Sequence, residues 1–128
     1  MESSTHLAID ANLVGVIVEL GDGRAECALE CGNAMRADDR GLVHGGFVFG
    51  LADYAAMCAV NDPNVVLGSA ETRFVAPVKT GDRVVAKASR TATKGRKHSV
   101  EVVCSVGDTE VMTGTFTCFV LDQHVLES

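Results

Sequence analysis

Two groups eight residues apart could do chemistry together: the pair Gly45-Gly46 behind His44, and Asp53. Asp53 is the single charge in the run Phe47 to Val60, FVFGLADYAAMCAV, where apolar residues fall on every side of a helix. An ionised carboxylate in such a helix is costly unless it is paired, hydrated or set against a cleft. Either Asp53 caps a neighbouring backbone or sits at a wet subunit seam, or it faces a ligand cleft as a catalytic carboxylate with a raised pKa or an activated water.

The helix start favours the catalytic reading. Gly45 and Gly46 carry no side chain to block approach to the backbone. The N–H groups of a first helical turn are unpaired and lie at the positive end of the dipole. They form a natural socket for an oxyanion or a polarised carbonyl. At a rise of about 1.5 Å per residue, Gly45 and Asp53 sit about 12 Å apart along one axis. One helix does not readily serve one small reacting centre with both. Two copies can, if their helices lie antiparallel across a seam, so the spacing itself predicts a shared site.

Those residues need a scaffold, and 128 residues allow one domain with a real core. The composition, 47% hydrophobic and 22% charged, is that of an ordinary globular chain. A net charge of −6 argues against general nucleic-acid binding but leaves room for a local basic patch. No apolar run reaches the roughly 18 to 20 residues that span a bilayer. The start, MESSTHLAID, lacks the basic and apolar regions of a secretory signal. Cys27, Cys31, Cys58, Cys104 and Cys118 form an odd set with no C-x-x-C pair. They read as reduced, buried thiols of a cytoplasmic protein. No metal site is expected, because Cys27-x-x-x-Cys31 has no second pair at zinc spacing.

Leu13 to Leu20 reads as a strand, Gly21-Asp22-Gly23 as a tight turn and Arg24 to Glu30 as the returning strand. Gly32 to Leu42 is polar and irregular. Asn61-Asp62-Pro63-Asn64 stops the helix. Four segments rich in Val and Thr follow: Val65 to Val75, Arg83 to Thr91, His98 to Val106 and Thr109 to Leu121. Turns at Lys79-Thr80-Gly81-Asp82, Lys94-Gly95-Arg96-Lys97 and Gly107-Asp108 separate them. The pattern is a hairpin, a long buried helix and an antiparallel meander. An α+β fold satisfies it, with one curved antiparallel sheet wrapped around one central helix and a partner covering the rest. A dimer, or a dimer of dimers, is expected.

The run GLVHGGFVFGLADYAAM, with SAETRFVAPVKTGD downstream, resembles the hotdog-fold thioesterases of the PaaI type. The resemblance spans about residues 13 to 121 of a single hotdog domain, 1–128. It implies hydrolysis of acyl-CoA thioesters in the cytoplasm by a homodimer or homotetramer. Coenzyme A comes as part of the substrate and no separate cofactor is needed. It also implies that Asp53 acts as general base or nucleophile and that the Gly45 N–H holds the thioester carbonyl. His44 would orient the thioester or the loop, with Gly46 beside it; a histidine bonded to a carbonyl at the helix start is the plainer alternative. Family members usually carry Asn six residues before this His. Here the position is Asp38, a carboxylate that accepts where an amide also donates. A polar residue on the strand after the helix assists the water in such enzymes, and Ser69, Glu71 and Thr72 lie in that region.

The CoA phosphates call for cations, and Lys94, Arg96 and Lys97 form the densest basic cluster. A solvated hairpin is the alternative reading of these three. Phe47, Phe49, Tyr54 and Met57 are available to line an acyl pocket or to fill the core. The stretch GSAETRFVAPVKTGDRVVAKA also resembles the effector domain of FapR-type repressors, which bind malonyl-CoA without hydrolysing it. The residues before Leu13 are too few for the DNA-binding segment of those repressors. A non-catalytic acyl-CoA-binding role is therefore the alternative to the enzyme. Asp39 and His44 match a D-x-x-x-x-H pair of hotdog hydratases, but the surrounding hydratase pattern is absent.

Overall fold

The computed structural model describes residues 1–127. Six strands and one long helix follow in the order β1 (Val16–Gly21), β2 (Arg24–Glu30), α1 (Gly45–Val60), β3 (Val65–Phe74), β4 (Arg83–Lys94), β5 (Lys97–Val106) and β6 (Thr109–Val120). Short 3-10 turns occupy Asn33–Met35 and Val125–Glu127. The strands form one antiparallel sheet in the order β1-β2-β4-β5-β6-β3. The helix packs against all six. This is the hotdog arrangement that the sequence pattern predicts.

Each hairpin closes where the sequence puts a glycine. Gly21 pairs with Arg24, Lys94 with Lys97 and Val106 with Thr109, leaving two residues in each loop. Gly23, Gly95 and Gly107 take positive φ there, which these tight turns require. Lys94 and Lys97 thus end paired strands, and only Gly95-Arg96 forms the turn. Sheet curvature comes from register shifts at Ile17/Glu19, Leu67/Ser69, Arg90/Ala92 and Cys104/Ser105.

The first strand is shorter than the expected Leu13 to Leu20. Asp10 Oδ1 accepts the N–H groups of Asn12 (2.8 Å) and Leu13 (3.3 Å), and the Asp10 carbonyl accepts from Leu13 and Val14. That side-chain turn holds the chain out of the sheet until Val16. The helix ends as the sequence indicates. Asn61 adopts the left-handed conformation and its N–H returns to the Met57 carbonyl (2.8 Å). The N-terminal segment straps that end: Ser4 N–H donates to Asn61 Oδ1 (2.7 Å) and Ser4 Oγ to the Asn61 carbonyl (2.9 Å).

The core lies between the concave sheet face and the helix. Leu29, Leu51, Met57, Val84, Val100, Val102, Met112 and Phe116 are its largest buried side chains. All five cysteines are buried and unbridged. No helix is long and apolar enough to cross a membrane.

Candidate active site at the helix start and Asp53

The loop Arg36 to Val43 delivers the chain to the helix as a small hairpin, with an Arg36–Val43 bridge and Ala37 N–H on the Leu42 carbonyl (2.6 Å). Val43 N–H is held by the Val78 carbonyl (2.8 Å), and His44 N–H by the Met35 carbonyl (2.9 Å). His44 is the extended residue before the helix and makes no side-chain cap. Its ring packs edge-on against Phe47, 6.1 Å between centroids, and lies over Gly46, where a Cβ would come within 3.0 Å of the imidazole. The backbone at the start of the helix is thereby fixed from both sides. The N–H groups of Gly45 and Gly46 have no acceptor among the described residues. They point out of the helix at its positive end, available to an oxygen bearing negative charge.

Gly45 forms part of a cavity of about 400 Å³ with Leu42, Val48, Phe74, Val78 and Val111. A Cβ at Gly45 would lie 3.2 Å from the Phe74 ring. Phe74 escaped the sequence reading of the site. Its signal was present, since it lies in the stretch SAETRFVAPVKTGD that helps carry the resemblance.

Asp53 sits two turns further along, partly buried, on the same face as Phe49. Its Oδ1 is buried without a hydrogen-bond partner among the described residues. Burial holds its carboxyl above the usual carboxylate range. Cys118 on β6 feels its charge: burial chiefly, and Asp53 in addition, push that thiol up to about 12. The alternative in which Asp53 caps neighbouring backbone has no counterpart in this geometry.

The other expected residues divide. Asp38 stands at the tip of the entry loop, where its Oδ1 accepts the N–H groups of Arg40 (2.9 Å) and Leu42 (3.2 Å). It shapes the loop that leads to His44. On β3, pairing opposite Phe116, Gly114 and Met112 turns Ala70, Thr72 and Phe74 toward the helix. Ser69 and Glu71 face outward and are exposed, on the side of the sheet away from Asp53 and Gly45. Of the three candidates on this strand, Thr72 alone shares the helix-facing side. Lys94, Arg96 and Lys97 are exposed at the far end of the helix, roughly 22 Å along the axis from Gly45. The Arg96 guanidinium pairs with the Asp122 carboxylate, while Lys94 and Lys97 make no ion pair among the described residues.

One subunit therefore joins His44, Gly45, Gly46 and Phe74, with Asp38 supporting their loop and Thr72 on the helix-facing side of β3. It leaves Asp53 and the basic hairpin further down the helix.

The comparisons with known proteins agree with this fold. Residues 40–113 match the model of the thioesterase superfamily. An uncharacterized protein of Pyrococcus horikoshii has the same structure, with a TM-score of 0.97 and 51% identity over 98% of this chain and 97% of that one. A variant of phenylacetic acid degradation protein PaaI from Thermus thermophilus superimposes with a TM-score of 0.78 at 30% identity, covering 85% of this chain and 93% of PaaI. A methylthioribose-1-phosphate isomerase of Aquifex aeolicus is 48% identical over 123 residues, 95% of this chain but 27% of that protein. The transcription factor FapR of Bacillus velezensis is 34% identical over 116 residues, 88% of this chain and 61% of that protein. The chain thus spans about a quarter of the isomerase and under two thirds of FapR.

Proposed function

Because this chain belongs to the thioesterase superfamily, we propose that it hydrolyses an acyl-CoA thioester to the free acid and CoA. The observation that carries this reading is the unpartnered, buried Oδ1 of Asp53 on a helix whose first N–H groups are free. β3 lies at the edge of the sheet, with backbone groups open along its outer side. Two copies joined edge to edge at β3 about a two-fold axis set their helices antiparallel. Gly45 of one copy then meets Asp53 of the other, which removes the separation of about 12 Å within one helix. The basic hairpin at the far end of the second helix is carried toward the same site.

In this reading the Gly45 N–H donates to the thioester carbonyl oxygen and stabilises the oxyanion as it forms. The Asp53 carboxylate takes a proton from water as the water oxygen adds to the carbonyl carbon. The tetrahedral adduct collapses, the C–S bond breaks and the thiolate leaves with the electron pair. A thiolate needs little help from an acid, so one carboxylate is enough. Direct attack by Asp53 would give an acyl anhydride, which water would then hydrolyse. In this reading Thr72 binds the water, and Lys94 and Lys97 hold CoA phosphates with Arg96 beside them.

Similarity to FapR favours a second reading, an acyl-CoA-binding domain without turnover. Hydrolysis of a panel of acyl-CoAs, with product acid followed by mass, separates the two. Turnover by the wild type that is lost in Asp53→Asn, with binding of CoA thioesters retained, supports the enzyme. Binding without turnover in both proteins supports the alternative.

A further inference from the structure

Resting on the reading that Gly45 receives the thioester carbonyl, we infer that the acyl group occupies the cavity between Gly45 and Phe74, and that the substrates are thioesters of uncharged, apolar acyl groups. The cavity of about 400 Å³ falls within the range of small-molecule sites, about 300–1,000 Å³. Every side chain on its wall is apolar, Leu42, Val48, Phe74, Val78 and Val111 among them. A carbonyl oxygen on the Gly45 N–H directs the acyl carbons toward this wall, because Gly45 is itself a wall residue.

The chemistry of the wall selects among acyl groups. A hexanoyl or benzoyl group exchanges water for hydrocarbon contact. A malonyl or succinyl group would carry its second carboxylate into a place with no cation and no side-chain donor, where an unpaired charge is heavily penalised. Arg40 and Lys79 line a separate cleft that shares Leu42, Pro77 and Val78 with this cavity, together with Asp38 and Asp82. Phe74 sets the length limit. Its ring stands against Gly45 and is 55% exposed within one copy, so it borders the cavity without being locked into the core.

A second cavity, about 500 Å³, lies on the other flank of the helix start, lined by Leu13, Val16, Met35 and Phe47 together with the charged pair Glu30 and Arg83. Gly45 does not reach it, and it supplies the control.

The test compares kcat/KM for hexanoyl-, benzoyl-, dodecanoyl-, malonyl- and succinyl-CoA in wild type, Phe74→Ala, Val75→Lys and Leu13→Ala. Wild type should prefer hexanoyl- or benzoyl-CoA over malonyl- and succinyl-CoA by at least about a hundredfold. Phe74→Ala should move the preference toward dodecanoyl-CoA by about tenfold. Val75→Lys, at an exposed rim position, should raise succinyl-CoA relative to hexanoyl-CoA. Leu13→Ala should leave the profile unchanged. Malonyl- or succinyl-CoA turned over as well as hexanoyl-CoA overturns the inference and leaves the hydrolase standing. A profile that moves with Leu13→Ala and not with Phe74→Ala does the same. If wild type hydrolyses nothing, the hydrolase reading fails, and the same five thioesters are ranked by calorimetric affinity. Preference for hexanoyl- or benzoyl-CoA then upholds the cavity assignment, while preference for the dicarboxylic thioesters, or no binding at all, overturns it.

Discussion

Phe49 and Phe116 meet edge to face, with ring centroids 5.5 Å apart and planes at 76°. The contact sets the rotation of the helix about its axis. From Phe49 to Asp53 is about 6 Å along a helix, and from Phe116 to Cys118 is about 6.8 Å along a strand. Asp53 is therefore carried to Cys118, whose pKa is raised chiefly by burial and in addition by the Asp53 charge. Phe116 is fully buried and Phe49 half-buried. Phe49→Ala should cost about 2–3 kcal/mol in urea denaturation, less than a fully buried Phe. Phe49→Leu should recover most of it. An Ala variant as stable as wild type would mean that the ring pair does not hold the helix.

The pH dependence of turnover should carry the signature of Asp53. Burial raises its pKa, and the reaction needs the ionised form. The acid limb of kcat/KM should then fall at a pH clearly above the ordinary carboxylate value of about 3.9. Asp53→Asn should lose at least about a hundredfold in kcat and lose that limb altogether. An acid limb that persists unchanged in the residual activity of the variant would assign it to another group.

The same shift predicts a stability effect of definite sign. A carboxyl whose pKa is higher folded than unfolded destabilises the fold when ionised. That cost is fully present above the folded pKa and vanishes below the unfolded one. Asp53→Asn should therefore raise Tm at pH 7, and the gain should shrink as pH falls through the acid range. Calorimetric scans between pH 7 and pH 4 would reveal it. A variant less stable than wild type at pH 7 would mean that Asp53 has a favourable partner in the assembled protein.

Much of this architecture could be read from residue types. Glycine pairs and Asn/Asp-Pro mark the helix bounds, and a glycine in each two-residue turn marks three hairpins. Asp53 announces itself as a lone charge in an apolar run. Two features escaped for physical reasons. Alternation counted from Leu67 would turn Ser69 and Glu71 inward, but the register slips at Gly68 and sends Ala70, Thr72 and Phe74 inward instead. A Cβ at Gly68 would lie 2.4 Å from the Phe119 ring, so the glycine is required there, yet alternation alone does not distinguish it. Asp38 occupies the position where members of the resembled family usually carry Asn. Its carboxylate instead closes its own loop through bonds of two and four residues' span, a local competition that motif spacing does not resolve.

The basic hairpin should act on binding alone. Lys94 and Lys97 are exposed and make no ion pair among the described residues, whereas Arg96 shares its charge with Asp122. Lys94→Ala combined with Lys97→Ala should raise KM for CoA thioesters severalfold with kcat unchanged. Added salt should weaken wild type more than the double variant, because exposed charge pairs are screened. Equal KM values in the two proteins would place the phosphates elsewhere.

The strongest prediction concerns the origin of the two catalytic groups. Gly45→Val blocks the socket, since its Cβ would press within 3.2 Å of the Phe74 ring, and Asp53→Asn removes the base. Each variant alone should be inactive. Unfolded and refolded together, they form some mixed dimers. If Gly45 and Asp53 of different copies make one site, a mixed dimer holds one site with both groups intact and one with neither. Activity should then reappear, reaching about a quarter of the wild-type level at equal mixing if chains pair at random and each site works independently. If both groups act within one copy, every site in every dimer lacks one of them and mixing restores nothing. Sedimentation of each variant at the mass of wild type is the necessary control, because a monomer would also give nothing.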